Sequence, residues 1–247
     1  MAELPPAPPQ IFARARKSAA VQRASAKSGD LFLLEEMAED LIDRLDFMRV
    51  EPKRVLLIGG EGTDLAERLS GMASEVVAPD PLTFDEEQPW PNGFDVIASL
   101  SRLDRVNDLP GALIHMRNAL APGGIAIASF LGAGSLPQLR NALLAADGDR
   151  PAARMHPMVD NRAAAQLMQR AGFSRQVVDS QGIDVRYGSL DRLVADLRSH
   201  GLTNQLASAP PSLTRASWDR ARQSFTEAGS GGKTTERFEF LTLTGWK

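Results

Sequence analysis

Apolar positions along this chain fall into two rhythms. Short unbroken runs, Val55-Leu56-Leu57-Ile58, Phe94-Asp95-Val96-Ile97-Ala98-Ser99-Leu100 and Ile125-Ala126-Ile127-Ala128-Ser129-Phe130, read as strands buried on both faces, as in a parallel sheet. Between them lie stretches of helical spacing. Leu34, Met37, Ala38, Leu41, Ile42 and Leu45 repeat with the period of an amphipathic helix, and so do Leu109, Ala112, Leu113, Met116, Ala119 and Leu120.

Turn and cap residues set the boundaries. Asp30 is placed to cap the first helix, and Asn107 or Asp108 the second, with Pro110 in its first turn. Pro122-Gly123-Gly124 stops that second helix. Helix 64–71 leads to a strand at Glu75-Val76-Val77. Ser135 is placed to cap a helix running to about Ala146, and a helix from about Asn161 ends at Ala171-Gly172-Phe173. Ser174–Asp179 and Ile183–Tyr187 read as strands, helices follow near 189–199 and 212–228, and Phe238 to Trp246 forms a last strand. This order predicts an α/β fold: a doubly wound, mostly parallel sheet, a late helical insertion and an antiparallel C-terminal edge strand. The expected organisation is a proline-rich and basic N-terminal segment over 1–29, a core over 30–187, a helical insertion over 188–235 and a strand over 236–247 that completes the core sheet.

Composition narrows the chemistry. The chain has 247 residues and no cysteine, which excludes disulfides, thiolate nucleophiles and zinc–thiolate sites. A net charge of −3 gives no reason to expect a nucleic-acid partner. No apolar run is long enough for a membrane span, and the N-terminus lacks the apolar region of a secretory signal. Residues 11–27 carry Arg14, Arg16, Lys17, Arg23 and Lys27 with no acid. Three readings stay open for them: a solvated basic helix, an organellar transit peptide, or a cover over the mouth of a pocket. The expected compartment is the bacterial cytoplasm, or the mitochondrial matrix if the segment is a transit peptide. His115, His156 and His200 do not sit at metal-ligand spacing, so no metal is expected. Trp90, between two prolines, is either a stacking surface for an adenine or a loop anchor.

The richest stretch is Arg54 to Asp64. Apolar residues run straight into Gly59, Gly60 and Gly62, and a helical pattern follows. A tight turn of this kind lets backbone approach a ligand, and the helix N-terminus behind it offers free N–H groups. Asp80 ends the next strand at nearly the ~20-residue spacing from which a carboxylate meets ribose hydroxyls; Asp-Pro is equally a turn signal. Ser99, Leu100 and Ser101 end the following strand beside the same crevice. No Ser-His-Asp or paired-carboxylate arrangement can be argued, so no catalytic side chain is named.

"VLLIGGEG", "FDVIASL" and "NDLPGALIHMRNALAPGGIAIASF" give the chain a resemblance to the class I S-adenosylmethionine-dependent methyltransferase superfamily. Within it the chain is most similar to two groups. One is the malonyl-carrier-protein O-methyltransferases of biotin synthesis. The other is the respiratory complex I assembly factors that hydroxylate an arginine, matched by Leu31–Leu45, Val106-Asn107-Asp108-Leu109-Pro110, Ala171-Gly172-Phe173, Tyr187, Leu193–Gly201 and Gly245-Trp246-Lys247. The resemblance implies S-adenosylmethionine as cofactor and, from the second group, a protein substrate in complex I. The implied binding set is Gly59, Gly60, Glu61, Gly62, Asp80, Pro81, Asp85, Glu86, Ser99, Leu100 and Ser101.

The chain departs from that pattern. The acid two residues before the first glycine is replaced by Leu57, and the second and third glycines by Glu61 and Thr63. Asp80 and Phe94 are too close in sequence for a helix plus a third strand, so that strand is expected to be shortened or missing. Asp85 or Glu86 then stands in for the adenine-binding acid, or the adenine pocket is truncated. Asp104 and Arg105 occupy the places of a His-Trp pair. A second function therefore stands beside the enzyme: a non-catalytic assembly or binding protein on a degenerate methyltransferase scaffold.

Overall fold

The computed structural model describes residues 10–25 and 29–247. Apart from Gln10, the proline-rich stretch lies outside the described residues, as does Lys27. Helices α1 (Arg14–Ser25) and α2 (Phe32–Phe47) precede β1 (Arg54–Gly59), α3 (Leu65–Met72) and β2 (Glu75–Val77). Then come β3 (Phe94–Leu100), a 3-10 turn at Leu103–Arg105, α4 (Leu109–Ala119), β4 (Leu120–Leu131), α5 (Pro137–Asp147) and α6 (Asn161–Arg170). The chain closes with β5 (Arg175–Tyr187), α7 (Leu190–Ser199), α8 (Arg215–Glu227) and β6 (Thr234–Trp246). No described helix is long and apolar enough to cross a membrane.

The six strands form one sheet in the order β2-β1-β3-β4-β6-β5. Neighbours from β2 to β4 are parallel, and β6 runs antiparallel to both β4 and β5. The doubly wound, mostly parallel sheet read from the apolar runs is present. The chain from Ala78 to Gly93 contributes no strand, so the third strand of the superfamily pattern is missing. Four prolines there withhold ladder hydrogen bonds.

One placement is corrected. The sequence reading puts the last strand at the sheet's edge; the structure puts β6 inside, with β5 on the edge. Phe238, Phe240, Leu241 and Leu243 are all buried, so both faces of β6 need cover, whereas β5 alternates half-buried and exposed positions. The two short strands read at Ser174–Asp179 and Ile183–Tyr187 are also one, because β6 carries the ladder through Ser180, Gln181 and Gly182. Alternation along the parallel strands divides the core. Val55, Leu57, Val96 and Ala98 face α2 and α5, while Leu56, Ile58, Phe94 and Ile97 face α4 and α6.

Two caps differ from their sequence signals, and the choice between Asn107 and Asp108 for α4 falls to Asp108. Leu31, not Asp30, is the N-cap of α2 and makes no side-chain bond. Asp108 caps α4, accepting from the Gly111 N–H at 2.9 Å, while Asn107 accepts from the N–H groups of Ile11 and Phe12 at 2.8 Å and ties down the approach to α1. Leu136, in the left-handed region at φ 61°, caps α5 in place of Ser135. The free N–H groups of α5 are served from a distant strand. Glu236 on β6, fully buried, accepts from Gln138 at 3.2 Å and Leu139 at 2.7 Å. Burial raises its pKa. Glu236→Ala should cost about 2–3 kcal/mol in a urea titration, because these buried donors lose their acceptor. Since the folded pKa is raised, Glu236's own contribution shrinks as pH rises through that value, so the loss is expected to be larger in mild acid than at neutral pH.

Candidate functional site

The parallel strands β1, β3 and β4 end on one rim, and the chain order reverses between β1 and β3, where open α/β sheets form a crevice. Gly59, Gly60 and Gly62 turn the backbone there with φ of 86°, 77° and 89°, a region L side chains rarely adopt. The Thr63 hydroxyl closes the turn by donating to the Gly60 carbonyl at 2.8 Å.

The space above two of these glycines is taken by the protein itself. A Cβ on Gly59 would strike the Leu100 carbonyl oxygen and come within 2.8 Å of Arg102 Cγ, and one on Gly62 would meet Leu31 Cδ1 at 2.6 Å. Only around Gly60 is the nearest atom as far as 3.6 Å. Leu57 is buried in the core against α2, with no carboxylate in its place.

The acids read as cofactor partners are engaged elsewhere. Asp80 is exposed, and its Oδ1 accepts from the Leu82 N–H at 2.9 Å, so Asp80-Pro81 acts as turn punctuation. Asp85 pairs with Arg14 of α1 at 2.9 Å. Glu86, 2% exposed, accepts from Lys17 of α1 at 2.6 Å and from Arg102 Nε at 2.7 Å. Burial opposes its ionisation, but the two cations prevail and hold its pKa below the usual carboxylate value. Burial lowers the pKa of Lys17, against the pull of Glu86. Arg102 also donates to the Pro81 carbonyl at 3.0 Å.

Arg102 and Arg105 divide the rim into two hollows. On one side Glu61, Gly62, Leu100 and Ser101 share a cavity of about 280 Å³ with His200 and the inner face of α1. On the other, Pro81, Asp85 and Glu86 share about 240 Å³ with Lys17 and Asn107. Both arginines line both cavities; Gly59, Gly60, Asp80 and Ser99 line neither. Ser99 is buried in β3 with its hydroxyl unpartnered. Trp90 is a loop anchor: buried, edge-on to Phe84 with centroids 5.5 Å apart, its Nε1 donating to the Glu86 carbonyl.

Lys17, Arg102 and Arg105 are the functional-site residues that sequence reasoning missed. The signals present were a basic segment without acids and two arginines just past β3. The meeting of Lys17 and Arg102 at Glu86 and the hold of Gly201 on Arg105 are long-range events that no local pattern records.

A third cavity, about 240 Å³ and mainly apolar, lies under α5, α7 and α8 beside His156 and Asp104. His156 Nε2 accepts from the Gln205 N–H at 2.8 Å, and its ring stands edge-on to Phe12. Burial lowers its pKa to about 4, outweighing the Asp104 carboxylate. The unfolded chain therefore binds more protons between about 4 and the ordinary histidine value, and stability falls as pH drops through that window. The loss at its acid end is at most about 3 kcal/mol. His156→Gln keeps an acceptor for Gln205, so its urea midpoint should fall less between neutral pH and about pH 5 than the parent's. Among the described residues no group of three His, Cys, Asp or Glu could hold a metal ion.

The cofactor implied by the resemblance is a nucleoside joined to a cationic sulfonium. Its ribose and adenine need a free carboxylate at the end of β2 and open space beyond it. Here Asp80 caps its own turn, and the buried Lys17–Glu86–Arg102 cluster occupies the loop side of the crevice. The residues present do not fit the nucleoside.

Comparison with known proteins places this geometry among relatives. The family described as "Methyltransferase domain" matches residues 33–177. Arginine-hydroxylase NDUFAF5, mitochondrial, of Rattus norvegicus is 28% identical over 193 residues, covering 75% of this chain and 56% of that protein. The Homo sapiens protein of the same name is 27% identical, covering 87% and 70%. The match to the rat relative thus spans little more than half its length. Malonyl-[acyl-carrier protein] O-methyltransferase of Gallionella capsiferriformans is 22% identical, covering 96% and 91%. Among solved structures, YcgJ of Bacillus subtilis superposes with a TM-score of 0.56 at 12% identity, covering 86% of this chain and 98% of that one. The methyltransferase-like BH2331 of Bacillus halodurans C-125 gives 0.55 at 14%, covering 85% and 99%. At such identities these structures bear on the fold alone.

Proposed function

This chain belongs to the methyltransferase-domain family, and on that premise we propose that it is a binding and assembly protein on a methyltransferase scaffold, acting on a polypeptide in respiratory complex I assembly rather than transferring methyl groups. One observation carries the reading: Glu86, the acid that would meet an adenine, is buried and ion-paired with Lys17 and Arg102, and so is engaged within the protein. Removing two cations and a carboxylate from water together is costly unless they pair, and these pair closely. The polypeptide partner rests on the similarity to the arginine-hydroxylase relatives. The compartment follows from the partner: bacterial cytoplasm, or mitochondrial matrix.

Calorimetric titration of the full chain with S-adenosylmethionine and S-adenosylhomocysteine tests this. No heat at millimolar ligand, together with co-purification of complex I subunits on the tagged chain, is expected. Micromolar binding that weakens in Asp80→Ala would overturn it. The open surroundings of Gly60 favour a second reading, an S-adenosylmethionine-dependent enzyme in which α1 withdraws and takes Lys17 with it. That reading requires trypsin cleavage at Arg14, Arg16 and Lys17 to change when the cofactor is added; the assembly-protein reading expects the same cleavage with and without it.

A further inference from the structure

We propose that the cavity at the sheet rim binds a small amphiphilic anion, a molecule with one oxyanion head and a short aliphatic body. This goes beyond the assembly-protein reading and does not depend on it. The head group is assigned by Arg102. Its side chain is 4% exposed, Nε is spent on Glu86 and Nη2 on the Pro81 carbonyl, and Nη1 has no hydrogen-bond partner among the described residues. A buried guanidinium N–H left unpaired is costly, and such groups regularly mark a place for a ligand. Arg102 and Glu61 both line the rim cavity, with Glu61 Oε1 3.9 Å from Nη1, and Glu61 does not line the loop cavity. That distance is too long for a hydrogen bond, and Glu61, 41% exposed, has water as its alternative.

The rest of the wall agrees. Arg105 stands on the same wall, its guanidinium held by the carbonyls of Gly201 and Ser101 and flanked by Asp104. Arg102 and Arg105 line this cavity with the single carboxylate of Glu61, while their partners Glu86 and Asp104 stand outside its lining, so the charges on the wall itself favour an oxyanion. Apolar residues make up much of the remaining lining, Val21 and Ala24 from α1, Leu31 and Leu34 from the start of α2, and Leu100, alongside Ser25, Ser199 and His200. An inorganic anion would leave those apolar residues wet, whereas an aliphatic body of a few carbons would cover them.

The test is calorimetry and thermal shift of the full chain in a buffer of fixed chloride, with butyrate, butyl phosphate, inorganic phosphate and butylamine as probes. Saturable binding of butyrate or butyl phosphate, with butylamine inert, is expected; the stronger of the two identifies the head group as carboxylate or phosphate. Glu61→Gln should tighten that binding about two- to fivefold by removing the opposing charge. Val21→Trp, which fills the apolar end and leaves the ion cluster intact, should abolish it while the protein still melts cooperatively. Absence of saturable binding by both amphiphilic anions, or equal binding of butylamine, overturns the proposal. Inorganic phosphate binding as well as butyl phosphate overturns the aliphatic half of it.

Discussion

A Glu86→Ala protein is expected to lose about 3–5 kcal/mol of stability, which for a chain of this size lowers the melting temperature by ~10 °C. The reason is asymmetry. Among the described residues the carboxylate is the acid within hydrogen-bond reach of both cations, Lys17 at 2.6 Å and Arg102 at 2.7 Å, with Glu61 standing 3.9 Å from Arg102. Removing it leaves Lys17 uncompensated and Arg102 with only the distant, exposed Glu61, whereas removing Lys17 leaves a one-to-one pair with Arg102. Lys17→Met should therefore cost much less than Glu86→Ala, and Glu86→Gln, which keeps the shape and one acceptor, should fall between. The pH dependence follows from the depressed pKa of Glu86. Its contribution is complete above the ordinary carboxylate value and disappears as pH falls through the folded value, so parent and Glu86→Ala should converge in acid. Chemical denaturation at neutral pH and at about pH 3 reads both outcomes. Equal losses for Glu86→Ala and Lys17→Met would mean that the cluster is not the closed unit described, and the space it fills would be open to a guest.

How much of this was legible beforehand depends on the range of the interactions involved. The apolar runs of β1, β3 and β4 and the helical period of α2 and α4 announced themselves because each is decided within a few residues. The missing third strand was legible from chain length alone. The interior position of β6 was not, because which strand flanks which is settled by pairing between Ile125 and Trp246 or Arg175 and Trp246, far apart in sequence. The site failed in the same way. Glu86 was read as an adenine-binding acid, but its partners lie 69 and 16 residues away, and neither spacing carries a periodic signal. Glu236 went unnoticed for the same reason: it serves α5 from 97 residues downstream. Residue types on the rim were readable; their engagement with one another was not.

The glycine turn gives the sharpest contrast. Gly60→Ala is expected to cost about 1–2 kcal/mol, the price of an L residue at positive φ, since its surroundings leave room for a Cβ. Gly59→Ala meets the same conformational penalty plus a collision with the Leu100 carbonyl, which belongs to β3 and pairs directly with Gly59 across the sheet. Backbone inside a parallel sheet cannot yield without breaking its ladder, and Arg102 Cγ at 2.8 Å closes the other direction. The expected loss is about 4 kcal/mol or more, large enough to be diagnostic of a steric cause. The measurement is a pair of urea titrations on the two variants. A glycine that keeps space free for a bound molecule tolerates a methyl group in the unliganded protein and fails only in binding, whereas a glycine that admits the protein's own strand fails in folding. Should Gly59→Ala prove as mild as Gly60→Ala, the close approach of β3 to the turn is not rigid, the crevice can widen, and the case for a nucleoside-sized guest revives.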